Sequence, residues 1–395
     1  MAKIMYIRNI ELENVKLGMR LAESVYTITD TNNSMLVARK GYEVDDKILR
    51  VLERFGVETI PVWSRTKPEE ENEPQAEKPA PKLEKRVWVK GILSEDLKKE
   101  ALGSIKQLFS ILDPQRTTNM TTAYQSVRNL DSVMGDLLRA VAHDERGLIH
   151  ISDLKHYDEY TYHHSLSVSL LSISTGKELG LDSEDLLRLG RCAMLHDIGK
   201  QAIPLEILHK KGRLDKDEFD SIKRHSAMGA LNLKANAVGD VELWNSIMFH
   251  HEKINGKGYP KGLEGDEIPL FSKIISVADV YDAITSYRPY RSPMLPANAV
   301  DHIYQDAGVA FDHNVVNAFF EKLEFYPVNT IVELSDERLG IVSKSELENR
   351  LRPAIRIWGT DEIIHLSTPE HTHLQITDIL SHTNLPPGYE FVDKD

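Results

Sequence analysis

Apolar residues recur at helical spacing through the middle of the chain. The pattern predicts helices over 95–112, 125–142, 160–179, 183–196 and 217–233. In 183–196, Leu186, Leu189 and Ala193 fall on one face, with Gly180 as the preceding stop and Asp182 or Ser183 as N-cap. The helix from Val241 packs through Leu243, Trp244 and Ile247 and runs to His250. Residues 273–283 are apolar nearly all round (Ile274, Ile275, Val277, Ala278, Val280), which predicts a buried helix.

Both ends of the chain read differently. Residues 19–37 are rich in Val, Thr, Tyr and Leu around turn residues at 29–34, the mark of paired strands. A short helix over 45–55 follows, with Ile48, Leu49, Val51 and Leu52 inward and Gly56 as its stop, then a strand over 57–62. From 327 onward β-branched residues return at 330–334, 340–342 and 355–358. The predicted fold class is mainly α, with a small N-terminal α+β module and a short strand-rich C-terminal appendage.

Residues 66–86 carry four prolines and six glutamates and almost no large apolar side chain, so they cannot offset the cost of ordering and read as a flexible linker. The predicted organisation is 1–65 as the α+β module, 66–86 as linker, 87–144 as helical connector, 145–326 as the main helical domain and 327–395 as the extension. At 395 residues the chain has room for two or three domains. A formal charge of −13 argues against a non-specific grip on polymeric nucleic acid, which needs Lys and Arg on phosphates, while leaving room for a small phosphorylated ligand in a local basic pocket. The single cysteine, Cys192, excludes an internal disulfide and any cysteine-based zinc site. The lack of a long apolar run or a leader-like N-terminus predicts a cytoplasmic protein.

The chemistry concentrates in a few polar positions set in apolar surroundings. His196-Asp197 closes one predicted helix, with Lys200 three residues beyond Asp197, and His250-His251 closes another. His225 lies between them, and Asp279 sits inside the buried helix. A lone buried carboxylate is costly unless paired or bound to a cation. Imidazole mixed with carboxylate suits Fe, Mn, Zn or Ni better than Mg or Ca. Elsewhere the same residue types are read as ordinary: His143-Asp144 as a surface dipeptide, His371-Thr372-His373 as surface residues, Arg288 and Arg291 as a solvated loop unless they face a phosphate. Gly256-Lys257-Gly258-Tyr259-Pro260 does not sit between a strand and a helix, which disfavours a dinucleotide loop.

Taken together, His196-Asp197-Ile198-Gly199-Lys200, His225, His250-His251-Glu252, Asn255 through Pro260, Val277 through Ala283 and Arg288-Pro289-Tyr290-Arg291 resemble the HD-GYP phosphodiesterases, all-helical members of the HD superfamily of metal-dependent phosphohydrolases. The resemblance covers about residues 145–330. The N-terminal module looks, more loosely, like an uncharacterised domain that often precedes HD-GYP domains. The resemblance implies hydrolysis of cyclic di-GMP to linear pGpG, and onward to GMP as a second step, with His196, Asp197 and Lys200 as catalytic residues. It implies two divalent ions, Fe or Mn with Zn or Ni also open. One would be held by His164, His196, Asp197 and Asp279, the other by His225, His250 and His251, with Asp197 bridging. Lys200, Arg288 and Arg291 would contact phosphate. Gly258, Tyr259 and Pro260 would shape the pocket rim and offer a surface to diguanylate cyclase (GGDEF) proteins.

Two positions depart from the family pattern. A third ion, where present, uses a glutamate four residues before the first ligand histidine. Here Tyr160 holds that place and Glu159 is one residue off, a turn of about 100° on a helix, so two ions are expected. Asn255 stands where Asp is common. Asp282, one turn after Asp279, reads equally as an orienting partner for a ligand or as a helix-surface acid. Other readings also stay open: a nucleotide receptor with negligible turnover, a hydrolase of another cyclic dinucleotide such as cyclic GMP-AMP, and an HD-superfamily hydrolase acting on other nucleotides.

Overall fold

The computed structural model describes residues 6–12, 15–16, 19–22, 25–28, 34–38, 43–54, 57, 59–64, 83–84, 93–114, 120–143, 160–208, 210, 212–286, 293–321, 323–346, 349–380 and 391–392. They fall into two units, Met1–Lys78 and Pro79–Asp395, divided inside the Pro- and Glu-rich stretch.

In the first unit, β1 (Tyr6–Glu11) pairs antiparallel with β4 (Thr59–Ser64), and β2 (Val25–Ile28) with β3 (Ser34–Ala38). The helix α1 (Asp46–Arg54) opens with Asp45 Oδ1 accepting the Ile48 N–H at 2.7 Å, which satisfies one of the free donors of its first turn. Leu21, Val25, Val44, Ile48, Leu52, Ile60 and Val62 form its core. The hairpin and helix follow the alternation read above. The strand β1 was not anticipated, because its alternation is short and interrupted by charge.

The second unit begins with β5 (Leu83–Glu84), inside the stretch expected to be linker. It pairs in parallel with β11 (Phe391–Val392) at the far end of the chain, a partner no local pattern could reveal. Then come α2 (Glu95–Ile111), α3 (Met120–His143), α4 (Tyr160–Glu178), α5 (Ser183–Leu195), a 3-10 turn (Ile198–Ala202), α6 (Leu205–Leu208), α7 (Lys216–Ala235), α8 (Val241–Phe249), α9 (Leu270–Thr285), α10 (Pro296–Gln305) and α11 (His313–Glu321). Beyond them β6 (Ile331–Leu334), β7 (Leu339–Lys344), β8 (Ala354–Ile357), β9 (Ile363–His365) and β10 (Ile376–Leu380) form an antiparallel sheet in the order β10-β6-β7-β8-β9. The chain is therefore mainly α, with a small C-terminal sheet.

Helix ends in this unit are chemically specified. Asp182 caps α5 by accepting the Asp185 N–H at 2.9 Å. Asp215 and Glu218 form a reciprocal capping box on α7, and Asp240 caps α8. At the centre lie α4 and α9, buried on nearly every side. The four buried serines of α4 (Ser165, Ser167, Ser169, Ser172) are small enough for close packing, and Ser169 Oγ donates to the Gly190 carbonyl at 2.9 Å. The sheet shares this core: Val332, Leu334, Val342, Ile355 and Ile364 belong to one apolar cluster with Leu166, Leu195 and Ile275. Three anchors tie α2 to the segments described next. Gln201 Nε2 donates to the Phe109 carbonyl at 2.8 Å, Asn232 Nδ2 to the Leu112 carbonyl at 2.7 Å, and Phe109 meets the Tyr162 ring edge-on. Among the described residues no helix is long and apolar enough to cross a membrane.

Candidate metal centre

Six segments deliver seven polar side chains to one interior point. His164 comes from the first turns of α4 and His196 from the C-cap of α5, while Asp197 leads the 3-10 turn. His225 comes from the middle of α7, His250 and His251 from the end of α8, and Asp279 from the middle of α9. Their imidazole rings form a continuous run from His164 through His196, His250 and His225 to His251, with neighbouring centroids 5.0 to 5.4 Å apart, and His250 and His251 are 4.0 Å apart.

The ring orientations have a common cause. His196, His225 and His250 each use Nδ1 to donate to the carbonyl three residues earlier, those of Ala193, Ile222 and Ile247, at 2.6 to 2.7 Å. At the ends of α5 and α8 these carbonyls belong to the last turn, which lacks a full set of backbone donors. Because a carbonyl only accepts, Nδ1 carries the proton and Nε2 presents a lone pair. His164 is held by a carboxylate instead: its Nδ1 donates to Asp282 Oδ2 at 2.7 Å, and Ser286 Oγ donates to the other oxygen of Asp282 at 3.1 Å.

The ring nitrogens converge on two carboxylates. Asp197 Oδ2 lies 3.3 Å from His196 Nε2 and 3.5 Å from His164 Nε2, while its Oδ1 lies 3.4 Å from His225 Nε2. Asp279 Oδ1 lies 3.1 Å from His164 Nε2, and its Oδ2 lies 4.0 Å from His251 Nδ1. His225 Nε2 and His250 Nε2 face each other at 3.4 Å. Three groups have ligand atoms within 4.8 Å of one another: His164, His196 and Asp279; His196, Asp197 and His250; His225, His250 and His251.

Acceptors pressed against acceptors in a dry interior are unfavourable without a shared positive charge. His196 Nε2 is buried and has no hydrogen-bond partner among the described residues, although Asp197 Oδ2 is 3.3 Å away. Burial lowers the pKa of His225 and drives that of His250 well down, keeping both neutral and able to donate a lone pair. Burial would raise Asp197 and Asp279, but His196 and Lys200 beside the first, and His164 beside the second, hold both carboxyls well below the usual range. For His164 burial acts downward, and the carboxylates of Asp279 and Asp282 outweigh it, pushing the pKa up to about 9. In the metal-free chain a proton thus occupies the position that a cation would take. The donor set, nitrogen with carboxylate oxygen, fits divalent transition ions.

Around this cluster, Lys200 is one-third exposed and its ammonium pairs with Asp197 Oδ2. The 3-10 turn that carries it touches α7 backbone to backbone at Gly199, where a Cβ would lie 1.9 Å from the His225 carbonyl oxygen. Tyr259 lies over His251, ring centroids 4.8 Å apart. Burial, reinforced by the negative charge of Asp279 and Asp197, pushes the Tyr259 hydroxyl upward in pKa, so it stays a protonated donor. Gly258 and Pro260 flank it in the same loop. Asn255 Oδ1 accepts the Lys257 N–H at 3.1 Å, a turn contact that an Asp there would make equally well.

Arg288 and Arg291 lie outside the described residues, as do Glu159, Asp144 and the side chains of Tyr160 and His143. His371 and His373 lie at the surface of the C-terminal part, apart from the cluster. Sequence reasoning left Asp282 open and assigned no role to Glu252. Asp282 is buried against His164, and its place one turn after Asp279 was the only available signal. Glu252 is also buried, with its carboxylate enclosed by backbone N–H groups. Lying just past the end of α8, it had no helical periodicity to mark it.

Comparison with known proteins places this segment among relatives. Residues 150–315 match the HD domain family. A cyclic di-GMP phosphodiesterase of Pseudomonas aeruginosa is 34% identical over 266 residues, covering 67% of this chain and 64% of that protein. A cyclic di-GMP phosphodiesterase response regulator of Xanthomonas campestris pv. campestris is 39% identical over 143 residues, 36% of this chain and 38% of that one. A 3'3'-cGAMP-specific phosphodiesterase of Vibrio cholerae is 42% identical over 136 residues, 34% of this chain and 31% of that one. The chain thus covers less than two thirds of the length of each of these relatives.

Proposed function

The chain carries an HD domain and belongs to the HD-GYP family, and from that premise we propose that it hydrolyses a phosphodiester bond of cyclic di-GMP, yielding linear pGpG. The observation that carries the proposal is the convergence of buried imidazole Nε2 atoms on Asp197 and Asp279. His164, His196, Asp197 and Asp279 would hold one divalent ion and His225, His250 and His251 a second, with the two oxygens of Asp197 turned toward different halves. The family resemblance favours Fe or Mn, and nitrogen with carboxylate oxygen also accommodates Zn or Ni. When bound, such a pair supplies Lewis acidity toward a phosphoryl oxygen and a water of lowered pKa.

The remaining work falls to the chain's own groups. Lys200 keeps part of its ammonium toward solvent while Asp197 holds it in place, so it offers a charged donor to a phosphate oxygen. The Tyr259 hydroxyl adds a neutral donor at the rim. Asp282 keeps the Nδ1 of His164 protonated and its Nε2 aimed at Asp279. Arg288 and Arg291 are proposed to grip the second phosphate through planar guanidinium forks. The exposed edge of the loop at Lys257 and Pro260 is the surface we assign to GGDEF partners.

Purified protein loaded with Mn2+ or Fe2+ is expected to convert cyclic di-GMP to pGpG, resolved by chromatography, and His196→Ala or Asp197→Ala to abolish turnover and metal uptake together with the fold intact. Full turnover in either variant refutes the site. A second reading, cyclic GMP-AMP as the preferred substrate, draws support from the Vibrio cholerae relative. Running the two cyclic dinucleotides in parallel decides between them by the ratio of kcat/KM.

A further inference from the structure

The imidazoles of the cluster are not all fixed in the same way. His196, His225 and His250 are pinned by backbone carbonyls and His164 by Asp282. His251 shows no such tie among the described residues; its side chain is 24% exposed and its Nδ1 stands 4.0 Å from Asp279. Contact holds its ring instead: His250 and His225 lie at centroid distances of 4.0 and 5.0 Å, Tyr259 covers it at 4.8 Å with planes inclined by 31°, and the Tyr259 N–H donates to the His251 carbonyl at 3.2 Å.

The base of the loop that carries Tyr259 is closed by the Asn255–Glu264 bridge and by the Ile254 N–H, which donates to the Ala310 carbonyl at 3.1 Å. The return segment of the loop is drawn onto the end of α8 by a buried carboxylate. Glu252 Oε1 accepts the N–H groups of Lys261 at 2.7 Å and Gly262 at 3.1 Å, and Oε2 accepts that of Leu263 at 3.1 Å. Glu252 is 4% exposed, so these donors replace its hydration. The fit of loop to helix end is close: a Cβ on Gly258 would lie 2.4 Å from the Cα of Glu252 and 2.3 Å from the nitrogen of Lys253. The loop therefore rests on the backbone of 252–253 on one side and hangs from the Glu252 side chain on the other.

We propose that Glu252 is the positioning residue for the His225/His250/His251 half of the centre: it fastens the Gly-Tyr-Pro loop so that the Tyr259 ring fixes the His251 imidazole. This rests on the metal-centre reading given above. Glu252 touches neither ligand nor substrate and acts through Tyr259. The half built on His164, His196 and Asp279 has no hydrogen bond to the loop among the described residues.

The test is a Mn2+ titration of the metal-free full chain, with amide hydrogen exchange on the same material. Wild type should take up two ions. Glu252→Gln keeps the shape but offers one acceptor oxygen in place of two; it should weaken one ion by ~10–100-fold and leave the other unchanged, and it should weaken both ions when combined with His164→Ala but only one when combined with His251→Ala. The amides of Lys261, Gly262 and Leu263 should exchange faster in Glu252→Gln before any metal is added. Two ions at wild-type affinity with unchanged exchange overturn the proposal. If Glu252→Gln misfolds, Tyr259→Ala removes the ring from the exposed side, and there selective loss of one ion supports the proposal while two tight ions overturn it. Wild-type protein that takes up no Mn2+ would sink the metal-centre reading instead, and the exchange comparison would still judge the fastening role of Glu252.

Discussion

Replacing Gly199 by alanine probes how the ligand segments are held together. The obstacles a Cβ would meet are the His225 carbonyl oxygen at 1.9 Å, the Gly229 nitrogen at 2.5 Å and the His225 carbonyl carbon at 2.8 Å, all backbone atoms with no rotamer to change. Restoring ordinary contact at 3.4 Å requires the 3-10 turn and α7 to part by about 1.5 Å. Asp197 lies two residues before the substitution, and His225 carries the carbonyl it strikes, so the displacement falls between Asp197 Oδ1 and His225 Nε2, now 3.4 Å apart. Overpacking against rigid neighbours costs about 3 kcal/mol at the upper end of its usual range. For a unit of this size that lowers Tm by roughly 5 °C. A displacement of this order at a reacting centre lowers turnover by ~100-fold. The control is Gly103→Ala in α2, where no atom lies within 4 Å of the new Cβ; it should gain about 0.5–1 kcal/mol. Differential scanning calorimetry and Mn2+ titration on both variants provide the readouts. If Gly199→Ala matches wild type in Tm and metal affinity, backbone contact between the turn and α7 is not what sets the ligand spacing.

Two further outcomes follow from the electrostatics of His164. Its folded-state pKa, about 9, lies above the reference 6.5, so in chelated protein its ion pairs contribute stability fully below pH 6.5, and that contribution fades as pH rises toward about 9; urea melts across this window should show the decline. Metal uptake must expel the same proton, so apparent Mn2+ affinity should rise ~tenfold per pH unit over the window and level off above it, and a pH-independent affinity would contradict the protonated state assigned to His164. Asp282→Asn replaces the acceptor of the Nδ1 proton with an amide that can turn either way, and metal affinity should fall by ~10–100-fold in equilibrium competition with a chelator. Unchanged affinity there would make Asp282 a packing residue.

Local pattern alone was enough to locate α2, α4, α5, α7 and α9, because each carries an apolar face or an apolar surround longer than any competing pattern. It also marked the short helix α1 and the hairpin of β2 and β3 near the N-terminus. The residues that meet in the interior cluster were legible for a related reason: His196, Asp197, His250, His251 and Asp279 are polar residues at positions where the flanking periodicity demands burial, and burial of such groups calls for a partner.

What no local pattern could supply is the distance between segments. The Asp282–His164 bond spans 118 positions, the Gln201 anchor on α2 spans 92, and β5 pairs with a strand at the opposite end of the chain. Glu252 looks like any acid after a helix until the loop folds back and encloses it. Periodicity records only which face of an element is buried. Which side chains meet across that buried face depends on how the helices cross, and backbone contacts as close as that of Gly199 with α7 exist only once the tertiary structure has formed.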